Sequence, residues 1–180
     1  MSGAPDNQGL MPSLVDRLLD PDSLGSTERP GYSMSQILAM VRQDVEDLLN
    51  TRQSHQHIDP QLREVQDSIA AYGLPDLSQM EASTSQAREQ IGRTIQAVIE
   101  RFEPRLRDVH VEIYQPNAED RGPQGFLSTR DFGFHIHAKL NIDPAPELEF
   151  DTITVLDAHN GEFLDRSEKE KRDKERAPRK

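Results

Sequence analysis

Apolar positions recur with a helical period up to Phe102 and with a strand period from Val109 onward. The first helical pattern is short. Leu14, Val15, Leu18 and Leu19 share one side of a segment that Ser13 can cap. Residues 20–33, with two prolines and two glycines, read as a loop. A short helix on such a linker cannot bury its apolar side alone and must dock on the rest of the chain or on a partner. From Met34 to Asn50 the stripe is Ile37, Leu38, Val41, Val45, Leu48 and Leu49, and Arg42, Asp44, Glu46 and Asp47 are expected to face away. Asp59-Pro60 then reads as the cap and first residue of a second helix, with Leu62, Val65, Ile69 and Tyr72 on its buried side and Gly73 as its left-handed terminator. A third helix is predicted from Ser83 to Phe102, with Ile91, Ile95, Val98, Ile99 and Phe102 on one face. Pro104 ends it, because proline pushes the preceding residue out of the helical region. Glu103 and Arg105 are left on either side of a rigid corner.

Beyond the corner the period becomes two. Val109, Val111 and Ile113 alternate with His110, Glu112 and Tyr114, and a turn-rich loop over 115–125 follows. Phe132, Phe134, Ile136, Ala138, Leu140 and Ile142 mark a second, half-buried strand. Leu148 to Leu156 is a third, and Asn160-Gly161 turns into a short last strand around Glu162–Leu164. Helices first and strands second predict an α+β fold, with N-terminal helices packed on a small antiparallel β-sheet. The third strand is apolar on both faces: Leu148, Phe150 and Leu156 lie on one, Ile153 and Val155 on the other. Either a bulge near Thr152 returns all of them to one core, or another protein completes the strand by edge pairing.

Composition narrows the function classes. The 180 residues are 34% apolar and 29% charged, enough for one domain with tails. The expected layout is an arm over 1–33, a domain over 34–164 and a charged tail over 165–180. There is no cysteine, which removes disulfides, thiolate metal sites and a cysteine nucleophile. No stretch approaches the ~20 apolar residues that span a bilayer, and Met1–Leu10 lacks the features of a secretory signal. The net charge is −11, but residues 166–180 hold eight Lys/Arg against four Asp/Glu, so the remainder carries −15. An acidic body argues against non-specific nucleic-acid binding.

Candidate chemistry is sparse. His135 and His137 share a strand face, and His110 lies on a neighbouring strand, but no register in the sequence brings them together, so no metal site is assigned. His55 and His57 sit in a polar loop. Glycoside hydrolysis needs a carboxyl held protonated in an apolar setting, and Glu103 beside Arg105 is the opposite setting. Gly122-Pro123-Gln124-Gly125 precedes no helix and reads as a turn, not a phosphate loop. Glu103 and Arg105 keep two roles open: a local tie between helix end and sheet, or a surface presenting Arg105 as a bidentate donor.

Four segments in order resemble one family. Arg101-Phe102-Glu103-Pro104-Arg105-Leu106 is similar to the acid-proline-arginine signature of phage-tail baseplate wedge proteins and their relatives in type VI secretion. Val45–Arg52 resembles the end of that family's first long helix, Tyr72–Asp76 its next turn, and Leu14–Leu18 the short N-terminal motif of the secretion branch. The resemblance implies a non-enzymatic component that joins the baseplate wedge and initiates sheath polymerisation by strand pairing. Its implied partners are wedge subunits (TssF, TssG, TssK) and sheath proteins (TssB, TssC), with no cofactor, no nucleic acid and no membrane insertion. The implied location is the bacterial cytoplasm, at the cytoplasmic face of the inner membrane. Wedge binding carries over to Glu103, Pro104 and Arg105. Strand 148–156, with Phe150, Ile153 and Val155, becomes the candidate sheath-pairing surface. On this reading Arg105→Ala is cheap in the isolated protein and costly in assembly. The same small fold also serves in anti-adaptors that block delivery of a stress sigma factor for proteolysis, the alternative function. A lysozyme label has travelled with one phage relative, and the residues here do not support that activity.

Overall fold

A computed structural model describes residues 33–54, 58–59, 61–77, 84–117, 120, 131–142, 147–156 and 161–166. The segment Ser13–Leu19, the loop that leads to Ser33, His55 and His57, the Gly122–Gly125 turn and the charged tail past Arg166 lie outside the described residues.

Helix α1 spans Met34–Asn50, as its periodicity predicts. Ser33 caps it in a reciprocal box: its hydroxyl accepts from the Gln36 amide at 3.4 Å while the Gln36 side chain accepts from the Ser33 amide at 2.8 Å. Ile37, Val41, Val45, Leu48 and Leu49 are buried and Leu38 half-buried. Glu46 departs from expectation: it is buried, not turned to solvent. Its position follows Val45 directly and precedes Leu48, so it borders the stripe on a helix that packs against several elements at once.

The expected second helix does not form as one element. It breaks into a single turn, α2 (Arg63–Gln66), and a 3-10 turn over Ile69–Ala71. Most of its supposed buried side is open, with Leu62 52%, Val65 37% and Ile69 90% exposed, and only Tyr72 packs on the core. Ser68 explains the break. Its hydroxyl donates to Val65 O at 2.7 Å and accepts from the Ala70 amide at 3.3 Å, while its backbone is extended. Such local bonds compete with the helical ladder, and a helix this short has little stability without tertiary packing. Gly73 is left-handed as foreseen, at φ +101°. The reason lies in a neighbour: the Leu74 amide donates to Thr51 O at 2.8 Å, and a Cβ on Gly73 would lie 2.3 Å from that same oxygen.

Helix α3 spans Ser85–Phe102, capped by Thr84, whose hydroxyl accepts from the Ala87 amide at 3.2 Å. Strands β1 (Leu106–Tyr114), β2 (Phe132–Leu140), β3 (Leu148–Leu156) and β4 (Phe163–Asp165) form an antiparallel sheet in the order β1-β2-β3-β4. Helices preceding a four-stranded antiparallel sheet make the fold α+β, as the change of period predicts. Both long helices lie on one sheet face, α3 against β1 and α1 against β3 and β4. Ile95 and Ile99 from α3, Val41 from α1 and Ile136 from β2 are wholly inaccessible where the layers meet.

Strand β1 begins earlier than its alternation suggests. Leu106 and Val109 are both buried although three residues apart, and a strand of period two cannot place both on one side. A register shift between Arg107 and His110, with Asp108 left-handed at φ +51°, supplies the extra residue. Strand β3 shows the reverse. It pairs with β2 without interruption from Leu140↔Leu148 to Phe132↔Leu156, so the bulge considered near Thr152 is absent. Phe150, Thr152 and Thr154 face the helices, and Val155 and Ile153 lie on the other face with Tyr114. Thr152 and Thr154 are buried there because each finds a partner: Asp165 accepts from Thr152, and Leu164 O accepts from Thr154 at 3.5 Å.

Candidate functional site

The corner after α3 is a closed ionic knot. Glu103 leaves the helical region, at φ −118° and ψ 79°, but its amide still donates to Ile99 O at 2.9 Å, and its carbonyl accepts from the Leu106 amide at 3.0 Å. The turn folds the Glu103 side chain back under Arg105. Arg105 donates through Nε to Oε1 at 2.7 Å and through its terminal nitrogen to Oε2, and its own amide donates to Oε1 at 3.2 Å. This is the bidentate fork in which guanidinium and carboxylate geometries match. Sequence reasoning missed the third member: Asp44, from α1, accepts from the same terminal nitrogen of Arg105. Nothing in the sequence links positions so far apart, though Asp44 stood among the polar positions of α1.

Burial divides the knot. The Glu103 side chain is only 7% exposed, whereas Arg105 and Asp44 keep 28% and 33%. Pro104 is exposed. The hydrogen bond to Glu103 pushes the Arg105 pKa still higher, with Asp44 adding to it and burial opposing. Tyr72 packs edge-on against Phe102 at 5.4 Å beside the knot. Burial raises the pKa of its phenol, and the charges of Asp44, Asp47 and Glu103 raise it further. The geometry therefore assigns Glu103 an internal partner. What the corner offers outward is Pro104 and the open sides of Arg105 and Asp44.

The three positions on the third strand separate. Phe150 is buried under the helices, Val155 is wholly buried on the opposite face, and Ile153 is half-buried beside it. A partner pairing with β3 would meet its backbone, with half-buried Ile153 alone of these three side chains beside it. Strand β4 pairs only with Thr154, Val155 and Leu156, so among the described residues no strand pairs with the outer edge of β3 over 148–153. Arg42 takes one carbonyl of that edge, donating to Asp151 O at 3.2 Å. The edge of β4 is closed differently. Asn50 at the end of α1 donates to Phe163 O at 2.7 Å and accepts from the Phe163 amide at 2.8 Å, imitating a strand partner with one side chain.

On the face away from the helices, the register that the sequence lacked is present. His110 stands opposite His137, and His137 opposite Asp151. His135 and His137 converge with Asp151, while His110 pairs instead with Glu112 at 3.0 Å.

The family model for the baseplate wedge protein gp25 matches residues 35–145, from the first turn of α1 past the end of β2, and so includes the corner. Strands β3 and β4 lie beyond the matched span. No curated protein and no solved structure matches the chain.

Proposed function

Because the chain belongs to the baseplate wedge protein gp25 family, we propose that it is the sheath-initiating wedge subunit of a type VI secretion baseplate, a TssE-type protein. Family membership makes the role structural, within a phage-tail-like baseplate and among other baseplate components. The secretion-system assignment goes further. It is carried by one observation, the Leu14–Leu18 motif placed ahead of a wedge domain whose corner reads Glu103-Pro104-Arg105. On this reading the partners are TssF, TssG and TssK in the wedge and TssB and TssC in the sheath. The protein acts without catalysis, in the cytoplasm at the inner membrane. Among the described residues no helix is long and apolar enough to cross a membrane.

The corner is the proposed wedge-docking point, through Pro104 and Arg105, with buried Glu103 holding Arg105 in its pose. The proposed sheath contact is edge addition to β3 over 148–153. Pairing there would extend the antiparallel sheet by main-chain bonds, and half-buried Ile153 would flank it.

Co-expression with the wedge subunits and affinity purification tests the docking. The wild-type chain is expected to co-purify, and Glu103→Ala/Arg105→Ala, confirmed as folded by circular dichroism, is expected not to. Failure of the wild type to find a wedge partner would favour the regulatory anti-adaptor reading of the same fold. For the sheath contact, Ile153→Asp in a folded protein is expected to stop sheath assembly while leaving the wedge complex intact. Normal sheath assembly in that variant removes β3 as the pairing edge.

A further inference from the structure

On the sheet face turned away from the helices, three side chains make three contacts. His135 Nε2 lies 2.7 Å from Asp151 Oδ1, His137 Nδ1 lies 2.9 Å from Asp151 Oδ2, and His137 Nε2 lies 3.0 Å from His135 Nδ1. The rings are tilted at 51° to one another, with centroids 3.8 Å apart. Proton counting shows what is missing. A neutral imidazole carries one N–H and an ionised carboxylate none. Asp151 accepts with both oxygens, so it takes the single proton of each ring. The remaining ring nitrogens then confront each other as two bare lone pairs at 3.0 Å. Such a contact is repulsive unless a positive centre, an added proton or a metal ion, lies between or beside them.

We propose that this centre is a divalent transition-metal ion, zinc by donor class, held by His135, His137 and Asp151. Several observations converge on it. One donor atom from each residue lies within 4.8 Å of the other two. A tetrahedral ion with zinc–nitrogen distances of about 2.0–2.1 Å holds its nitrogens about 3.3 Å apart, close to the spacing already present between the rings. Imidazole and carboxylate together suit zinc better than the hard, all-oxygen cations.

The surroundings agree. The nearest lysine along the face of β2, Lys139, is drawn away to Asp108 at 2.8 Å, so its ammonium does not compete for the cluster. Tyr114 meets His135 edge-on at 6.4 Å, and Ile153 is its cross-strand neighbour, so one flank is apolar. The other flank is open, with His137 43% and Asp151 57% exposed, and leaves a fourth position to water. His110, across from His137, remains with Glu112 and is not needed for the set.

The test is calorimetric titration of the full chain, made without a polyhistidine tag and stripped of metal, with zinc ion alone. One ion per chain is expected, with affinity in the micromolar range or tighter. His135→Ala and His137→Ala are each expected to weaken it by at least about tenfold. His135→Gln and His137→Asn, which keep a polar side chain at these part-exposed positions, serve where an alanine variant does not fold. His110→Ala is expected to bind as the wild type does. Absence of saturable one-to-one binding would overturn the proposal. So would one-to-one binding unchanged by the His135 and His137 substitutions, or an equal loss in His110→Ala. The proposal does not depend on the baseplate reading, and wedge co-purification cannot substitute for the titration.

Discussion

Asp108 and Gly73 show how much of this fold hangs on single backbone conformations. Asp108 takes the left-handed region at φ +51°, which aspartate tolerates better than most residues. Its carboxyl bonds Lys139 at 2.8 Å across the bulge. That bond holds the Asp108 pKa below its ordinary 3.8 and the Lys139 pKa above its ordinary 10.5. A depressed carboxyl contributes stability above its unfolded value and loses it as pH falls through the folded one. A raised ammonium contributes below its unfolded value and loses it as pH rises through the folded one. The tie is therefore intact across the neutral range and is lost at both extremes. Both groups are exposed, so the effect on stability is small, and the measurement is an NMR carboxyl titration. Asp108 is expected to titrate below the ordinary aspartate range in the wild type and to move up in Lys139→Gln. At Gly73 the expectation is larger. Alanine there meets both the left-handed penalty and Thr51 O, and Gly73→Ala should cost more than about 2 kcal/mol in denaturant unfolding.

At the scale of elements, burial on one side decides which predicted helices survive. Helices α1 and α3 have stripes long enough to cover the sheet, and α3 lays Ile91, Ile95 and Ile99 against it. Ile99 is wholly buried, so Ile99→Ala should cost about 2–5 kcal/mol, read from the shift of the unfolding midpoint at unchanged slope. The segment over 61–72 has the right residue types but, among the described residues, nothing covers its Leu62, Val65 and Ile69, and it breaks at Ser68. Its exposed Leu62, Val65 and Ile69 show that amphipathic spacing is a necessary sign of burial and not a sufficient one. In the sheet, Val155 is fully buried on the face away from α1 and α3, with Tyr114 and Ile153 packed against it. A strand apolar on both faces thus needs neither a bulge nor a foreign chain to account for its side chains.

For the whole molecule, the corner joins two layers through one ion cluster: Asp44 belongs to α1, and Glu103 and Arg105 to the turn into β1. This changes what substitution there means. Removing Arg105 alone strands a buried carboxylate, so Arg105→Ala is expected to cost about 3–5 kcal/mol in the isolated protein rather than little. Removing Glu103 with it leaves only part-exposed Asp44, and the double variant Glu103→Ala/Arg105→Ala should be the more stable of the two. Parallel chemical denaturation of the two variants checks the order. If the single variant is the more stable, Glu103 is not held by Arg105. The same logic makes the double variant the better probe of wedge docking, because a loss of assembly is then separable from a loss of fold.

The sequence by itself determined the local and periodic features: α1 and α3, the alternating strands, the α+β order and the corner at Pro104. Each of these is set by near neighbours along the chain, through side-chain spacing, capping chemistry or the ring of proline. It also carried the family signature, since Glu103, Pro104 and Arg105 are contiguous. Tertiary structure alone decided what depends on residues far apart in the chain. It placed Asp44 on Arg105 and Asp151 between His135 and His137, and it set the register that puts His110 opposite His137. Among the described residues, it left Leu62, Val65 and Ile69 uncovered and closed β4 with Asn50. The physical reason is common to all of these. A pattern states which residues seek burial or a partner, while the partner itself is chosen by strand register and helix placement, which only the folded chain supplies.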